Sequence, residues 1–160
     1  MLGAALAAHW LGHHHLTART LALYPDEALL TFSPAPPLRS FGAMLWEVHG
    51  QTGYVLQGLR SGIWGEPRWS APTGRDPAAL RAAWAAQTAQ LARELPGVPD
   101  AAYLGAHRTG WGELSGLDAA LGAVDNQVHH RAQGYVYLRA LGLEPPEFWD
   151  RTPPPAFSGE

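Results

Sequence analysis

The sequence predicts an all-α fold, a bundle of four helices, and three observations carry that expectation. Four segments repeat apolar residues every three or four positions, each segment is bounded by helix start or stop signals, and no stretch shows a convincing strand alternation. Helix one runs from Leu2 to about Tyr24 without internal proline, carries Leu6, Trp10, His13 and Leu16 at helical spacing, and stops at a Tyr-Pro-Asp turn signal. The run Phe32-Ser33-Pro34-Ala35-Pro36-Pro37 excludes a helix, because proline lacks the amide proton and clashes with the preceding turn. Ser40 then offers an N-cap for helix two, which carries Phe41, Leu45, Val48, Val55 and Leu59 and ends at Gly62. From Ile63 to Arg75, Gly65, Pro67, Pro72 and Gly74 punctuate a loop holding Trp64 and Trp69, large apolar groups seldom left in solvent and so candidates to roof a pocket.

Asp76 followed by Pro77 places a cap and a first-turn proline in the order a helix start requires, and Leu80, Trp84, Leu91 and Leu95 form one stripe of helix three, which ends near Pro96. A connection rich in glycine (Gly97, Gly105, Gly110, Gly112, Gly116) leads to helix four, where Leu117, Leu121, Val124, Val128, Tyr135 and Leu138 recur up to a C-cap at Gly142. Residues 1–143 are thus expected to form the bundle, and residues 144–160, with five prolines, a tail running extended over it with Phe148 and Trp149 docked.

Composition narrows the chemistry. At 160 residues and 46% hydrophobic content the chain suits one soluble, cytoplasmic domain. It has no cysteine, so thiolate metal sites and cysteine nucleophiles are excluded, and any metal must take nitrogen and oxygen donors. All 11 basic residues are arginine, which removes Schiff-base chemistry on a side chain. The net charge of −3 is scattered, so neither nucleic acid nor a membrane is an expected partner. Phosphate-binding loops and nucleophile elbows are missing as well.

The stretch Asp125-Asn126-Gln127-Val128-His129-His130-Arg131-Ala132-Gln133-Gly134 holds the most chemistry. At about 100° per residue, Ala119, Ala123, Asn126, His130, Gly134 and Tyr137 share an arc away from Leu121, Val124 and Val128. The large residues are expected to serve the core, and the small ones to leave a cleft or a face for a second copy. On helix two, Gly42, Leu45, Gly53 and Leu56 surround a solitary His49 in the same way. Metal sites in bundles are built from side chains on facing helices, and residues four apart point the same way, as Asn126 and His130 do. The expected ligand set is His49, Asn126 and His130 around zinc or nickel, with water at open positions. Trp46, Trp64, Trp69, Gln133 and Tyr137 are the expected substrate contacts.

These residues carry a family resemblance. His129-His130-Arg131-Ala132-Gln133, then Tyr135-Val136-Tyr137-Leu138-Arg139 and Leu141-Gly142-Leu143-Glu144-Pro145-Pro146, together with Pro37-Leu38-Arg39-Ser40-Phe41-Gly42 leading to His49, resemble the DinB/YfiT family of helical bundles. That family includes bacillithiol-dependent S-transferases and relatives of mycothiol-dependent isomerases. The resemblance implies an up-down-down-up bundle, frequent homodimers, a three-histidine metal site and metal-dependent transfer of a low-molecular-weight thiol to a small-molecule substrate. His49 and His130 match that site, whereas Asn126 stands where the family places a histidine. A neutral amide is the poorer donor, so the alternative is a metal-free small-molecule binder or a structural homodimer.

Nearby residues have simpler readings. Arg131 is expected to tie helix four to a neighbouring helix or loop through carboxylates such as Glu47 or Glu113. Asp125 and His129 suit a solvent-facing contact. His9, His13, His14 and His15 form a run expected to hold divalent ions adventitiously at the surface of helix one.

Overall fold

The computed structural model describes residues 2–68 and 76–154. Four long helices build it: α1 (Leu2–Leu23), α3 (Phe41–Ser61), α4 (Pro77–Glu94) and α6 (Gly116–Ala140). Shorter pieces connect them, namely α2 (Asp26–Leu29), a 3-10 turn (Leu95–Gly97), α5 (Asp100–Leu104) and an antiparallel hairpin of β1 (Ala106–Thr109) and β2 (Gly112–Ser115). The caps Ser40, Asp76 and Gly62 sit where the sequence put them, Ser115 is an additional N-cap, and α6 is capped by Leu141 rather than Gly142. Ser40 accepts from the Ala43 amide, Asp76 from Ala79 and Ser115 from Asp118, each satisfying a helix-start N–H that has no partner within its own helix. Gly62 closes α3 at φ 70°, a left-handed conformation that a side chain disfavours.

The long helices pack in a ring in which α1 touches α4 and α6, and α3 touches α6 and α4. Two apolar clusters fill the ring. One gathers Trp10, Val55, Leu59, Leu91, Tyr103 and Val124, and the other Leu21, Tyr24, Phe41, Leu45, Trp84 and Leu138. Between them lies a layer of buried polar groups from all four helices: His13, His14 and Thr17 on α1, Thr52 on α3, Gln87 on α4, and Gln127 and Arg131 on α6.

Several expectations are corrected here. The hairpin was not foreseen, because four-residue strands offer too few positions for an alternation to show, and its pairing is local, from Thr109↔Gly112 to Ala106↔Ser115. The faces of α6 depart from expectation in part, since Val124 and Leu138 of the expected stripe are buried but the rest of it is not. Ala119, Ala120, Ala123, His130, Gly134 and Tyr137 are buried, while Leu121 and Val128 are 40% and 36% exposed. Small residues win the interior because they let helices approach closely. A Cβ built on Gly134 would lie 2.4 Å from the Phe41 ring, and the Gly134 carbonyl accepts from the Tyr24 hydroxyl at 2.6 Å. Phe148 and Trp149 are exposed rather than docked, and the tail is held instead by Asp150, which pairs with Arg19 at 2.6 Å. Trp69 lies outside the described residues.

Candidate functional site

The segment Asn126–Gln133 of α6 faces two different environments, one on its outer flank and one inside the bundle. On the outer flank, α3 presents Glu47 and Gln51 and α6 presents Asn126 and His130, two pairs with the same four-residue spacing and therefore each on one side of its helix. They meet rung by rung. Asn126 Nδ2 donates to Gln51 Oε1 at 2.6 Å, and His130 Nε2 lies 3.4 Å from Glu47 Oε1. His130 is buried, and its Nδ1 sits 2.8 Å from Gln133 Oε1. The amide oxygen is an acceptor only, so Nδ1 carries a proton and Nε2 faces the carboxylate, where a bare ring nitrogen would set acceptor against acceptor. Two acceptors 3.4 Å apart repel unless a positive charge stands between them, either a proton on Nε2 or a cation. Glu47 is fixed from the other side by Arg39. Partial burial raises its pKa, but Arg39 and His130 more than offset that, so the carboxyl is held below its ordinary range.

His49 is placed elsewhere. It lines a groove with Gly50, Gly53, Ala86, Gln87 and Gln90, on the side of α3 that faces α4, and its ring meets Trp46 edge-on at 5.6 Å. It stands two positions from both Glu47 and Gln51, which on a helix is about 200° of rotation. The structure therefore brings Asn126, His130 and Gln133 together with Glu47 and Gln51, and sets His49 on the other flank of α3. Among the described residues no three His, Cys, Asp or Glu side chains are grouped to hold a metal ion. Trp46, Trp64 and Tyr137 are core residues, at 4%, 5% and 3% exposure.

The inner environment is the polar layer. Arg131 makes neither expected carboxylate contact: its Nη1 donates to the His13 carbonyl and to Thr17 Oγ1, and its Nη2 to His13 Nδ1 at 3.1 Å. Gln127 reaches the same Thr17 hydroxyl at 2.9 Å. His14 is wholly buried, stacks on Trp84 at 4.5 Å, and shares a hydrogen bond of 3.1 Å with Thr88 Oγ1. Trp84 in turn donates to the His14 carbonyl. Burial, with nearby positive charge adding to it, pushes both His13 and His14 down to about 3, so both imidazoles are neutral at physiological pH. Two of the four helix-one histidines are thus core residues rather than part of a surface run, against expectation. Arg131 is lowered by burial to about 10 and stays charged.

Sequence reasoning named Glu47 only as a partner for Arg131 and passed over Gln51. The signal was present in their spacing, which matches that of Asn126 and His130.

The class these features define is a four-helix bundle with a histidine–carboxylate contact on one helix–helix flank. The DinB family model matches residues 2–152, and the chain belongs to the DinB family. A solved structure of a DinB-like protein (YjoA) from Bacillus subtilis is similar, with a TM-score of 0.75 at 15% identity, covering 92% of this chain and 99% of that one. At that identity the likeness is one of fold. No curated protein matches the chain. No helix among the described residues is long and apolar enough to cross a membrane.

Proposed function

We propose that this DinB-family chain holds a divalent cation weakly on the α3/α6 flank, with His130 and Glu47 as its donors and the Asn126 and Gln51 amides beside them. The observation that supports the reading is the 3.4 Å between His130 Nε2 and Glu47 Oε1. That is long for a charge-assisted hydrogen bond, and it agrees with roughly 3.3–3.5 Å between two donors on a tetrahedral ion with bonds of about 2.0–2.2 Å. Donor chemistry agrees too, since a metal-binding imidazole commonly donates its other N–H to an acceptor, the place Gln133 takes here.

Two protein donors make a weak site with open positions. A divalent ion there would lower the pKa of a bound thiol or water, and thiol transfer to a small molecule is the reaction the family resemblance implies. The chain's own residues have simpler tasks. Gln133 sets the tautomer of His130, Arg39 orients Glu47, and Asn126 with Gln51 ties α3 to α6 beside the donors.

Competition titration with zinc and nickel tests the proposal, using a background in which the helix-one residues His9 and His15 are alanine and the buried His13 and His14 are left intact. Asn126→His adds an imidazole one turn from His130 and is expected to raise affinity at least about tenfold, or roughly 1.4 kcal/mol. Glu47→Gln should abolish binding, and His49→Ala should leave it unchanged. Loss on His49→Ala with retention in Glu47→Gln would move the site to the other flank of α3. No binding in any variant would leave a proton between Glu47 and His130, and the metal-free reading would stand.

A further inference from the structure

A buried cation without a charged partner among the described residues stands on the next face of α6, about 100° around from His130. Arg131 is 6% exposed, and among the described residues it has no carboxylate partner: its contacts are a carbonyl, a hydroxyl and a neutral imidazole. Such a charge is costly to bury, because neutral acceptors replace only part of its hydration. A second guanidinium lies nearby. The tail carries Arg151 back to α1, where its stem crosses Gly12 so closely that a Cβ there would come within 3.1 Å of it, and its Nη1 reaches His9 Nδ1 at 3.4 Å. Arg131 and Arg151 both line one cavity of about 180 Å³, whose other walls include His13, Val128, Ala132 and Phe148. Among the described residues no acidic one lines it.

The donors of Arg131 are unevenly used. Its three contacts engage Nη1 and one proton of Nη2, which leaves Nε–H and the second Nη2 proton. Those two form the parallel fork that fits the two oxygens of a carboxylate. The apolar wall is equally specific. Phe148 is 68% exposed beside the cavity, and Val128 and Ala132 lie one turn apart on α6, so an apolar body would cover surface now facing water.

We propose that this cavity, between α1, α6 and the tail, binds a small organic carboxylate, its oxygens on Arg131 and Arg151 and its apolar body against Val128, Ala132 and Phe148. The site is independent of the α3/α6 flank and of any metal there. It also gives the tail a purpose: the Asp150–Arg19 pair holds Arg151 in place as the second cationic wall.

The test is a titration of the full chain with benzoate, followed through the Arg131 Nε–H signal in proton–nitrogen correlation spectra. Benzamide, the neutral isostere, and inorganic phosphate serve as comparisons. The proposal expects a saturable shift with benzoate and none with benzamide. It expects phosphate to bind at least about tenfold more weakly, since an anion without an apolar body gains nothing from the Phe148 wall. Arg151→Gln should weaken benzoate at least about fivefold while the fold persists, because Arg151 sits on the surface. Ala132→Trp, at an exposed position, should fill the cavity and abolish the shift. An equal response to benzamide, or a benzoate response untouched by both variants, overturns the proposal. Phosphate binding as tight as benzoate overturns the organic-carboxylate assignment.

Discussion

Two imidazole-bearing regions of this bundle sit one helix face apart and have opposite characters. In the inner layer, His13 and His14 are paired with Arg131, Thr88 and Trp84, away from water, and burial holds them neutral to about pH 3. On the α3/α6 flank, His130 meets a carboxylate 3.4 Å away, and Glu47 remains 30% exposed through its side chain. The partner and the solvent decide what an imidazole does. Beside a guanidinium and an indole it is a packing group that accepts hydrogen bonds. Beside a partly exposed carboxylate it becomes a place where a positive charge is needed. Arg131 and His130, adjacent in sequence, belong one to each region.

The contrast breaks most severely where the inner layer is emptied. Trp84→Ala removes a fully buried indole that stacks on His14 and donates to its carbonyl, with an expected cost of about 3–5 kcal/mol, read as a lower urea midpoint. Acid should do almost as much without mutation. Each inner histidine has its ordinary value of 6.5 when unfolded and about 3 when folded. Between those values the unfolded chain binds more protons, so stability is full above pH 6.5, falls as pH drops through that window, and is lost progressively to about pH 3. At pH 5 this amounts to about 2 kcal/mol per histidine. His14→Gln should remove about half of the pH 7 to pH 5 difference in thermal melts.

Gly134→Ala probes the close approach of α3 and α6 that underlies both regions. Its new methyl would meet the Phe41 ring, for an expected loss of about 1–3 kcal/mol in chemical denaturation. The smallest effect belongs to the flank. Asn126→Ala removes one half-buried hydrogen bond to Gln51 and should change stability by about 1 kcal/mol or less, although the same position lies beside the donors of the proposed cation site. A large destabilisation there would mean that the flank is structural like the inner layer, and the comparison would fail.

Much of the architecture was readable before any coordinates. Ser40, Asp76 and Gly62 announced helix ends because caps are local chemistry: a side-chain oxygen serves an amide three residues on, or a glycine takes a left-handed turn, whatever the rest of the chain does. The hairpin and the short α2 and α5 helices stayed hidden because so few residues carry no periodic signal. The site was half legible. Asn126, His130 and Gln133 do lie together, since spacing along one helix is set by its pitch. Their partners were not legible, because Glu47, Gln51 and His49 stand within five positions of one another and only the rotation of α3 against α6 selects among them.

The faces of α6 show the same division. Hydrophobic size pointed to Leu121 and Val128 as core, yet Ala119, Ala123 and Gly134 are inside. Local sequence determined that these residues would be helical, where each helix would begin and end, and which side chains would share an arc. Tertiary structure alone decided which arc faced inward, which histidines lost their water, and which carboxylate met His130. The physical reason is that a helix is stabilised by contacts between residues close in sequence, whereas burial depends on how closely a second helix can approach. That distance is set by the small residues of both.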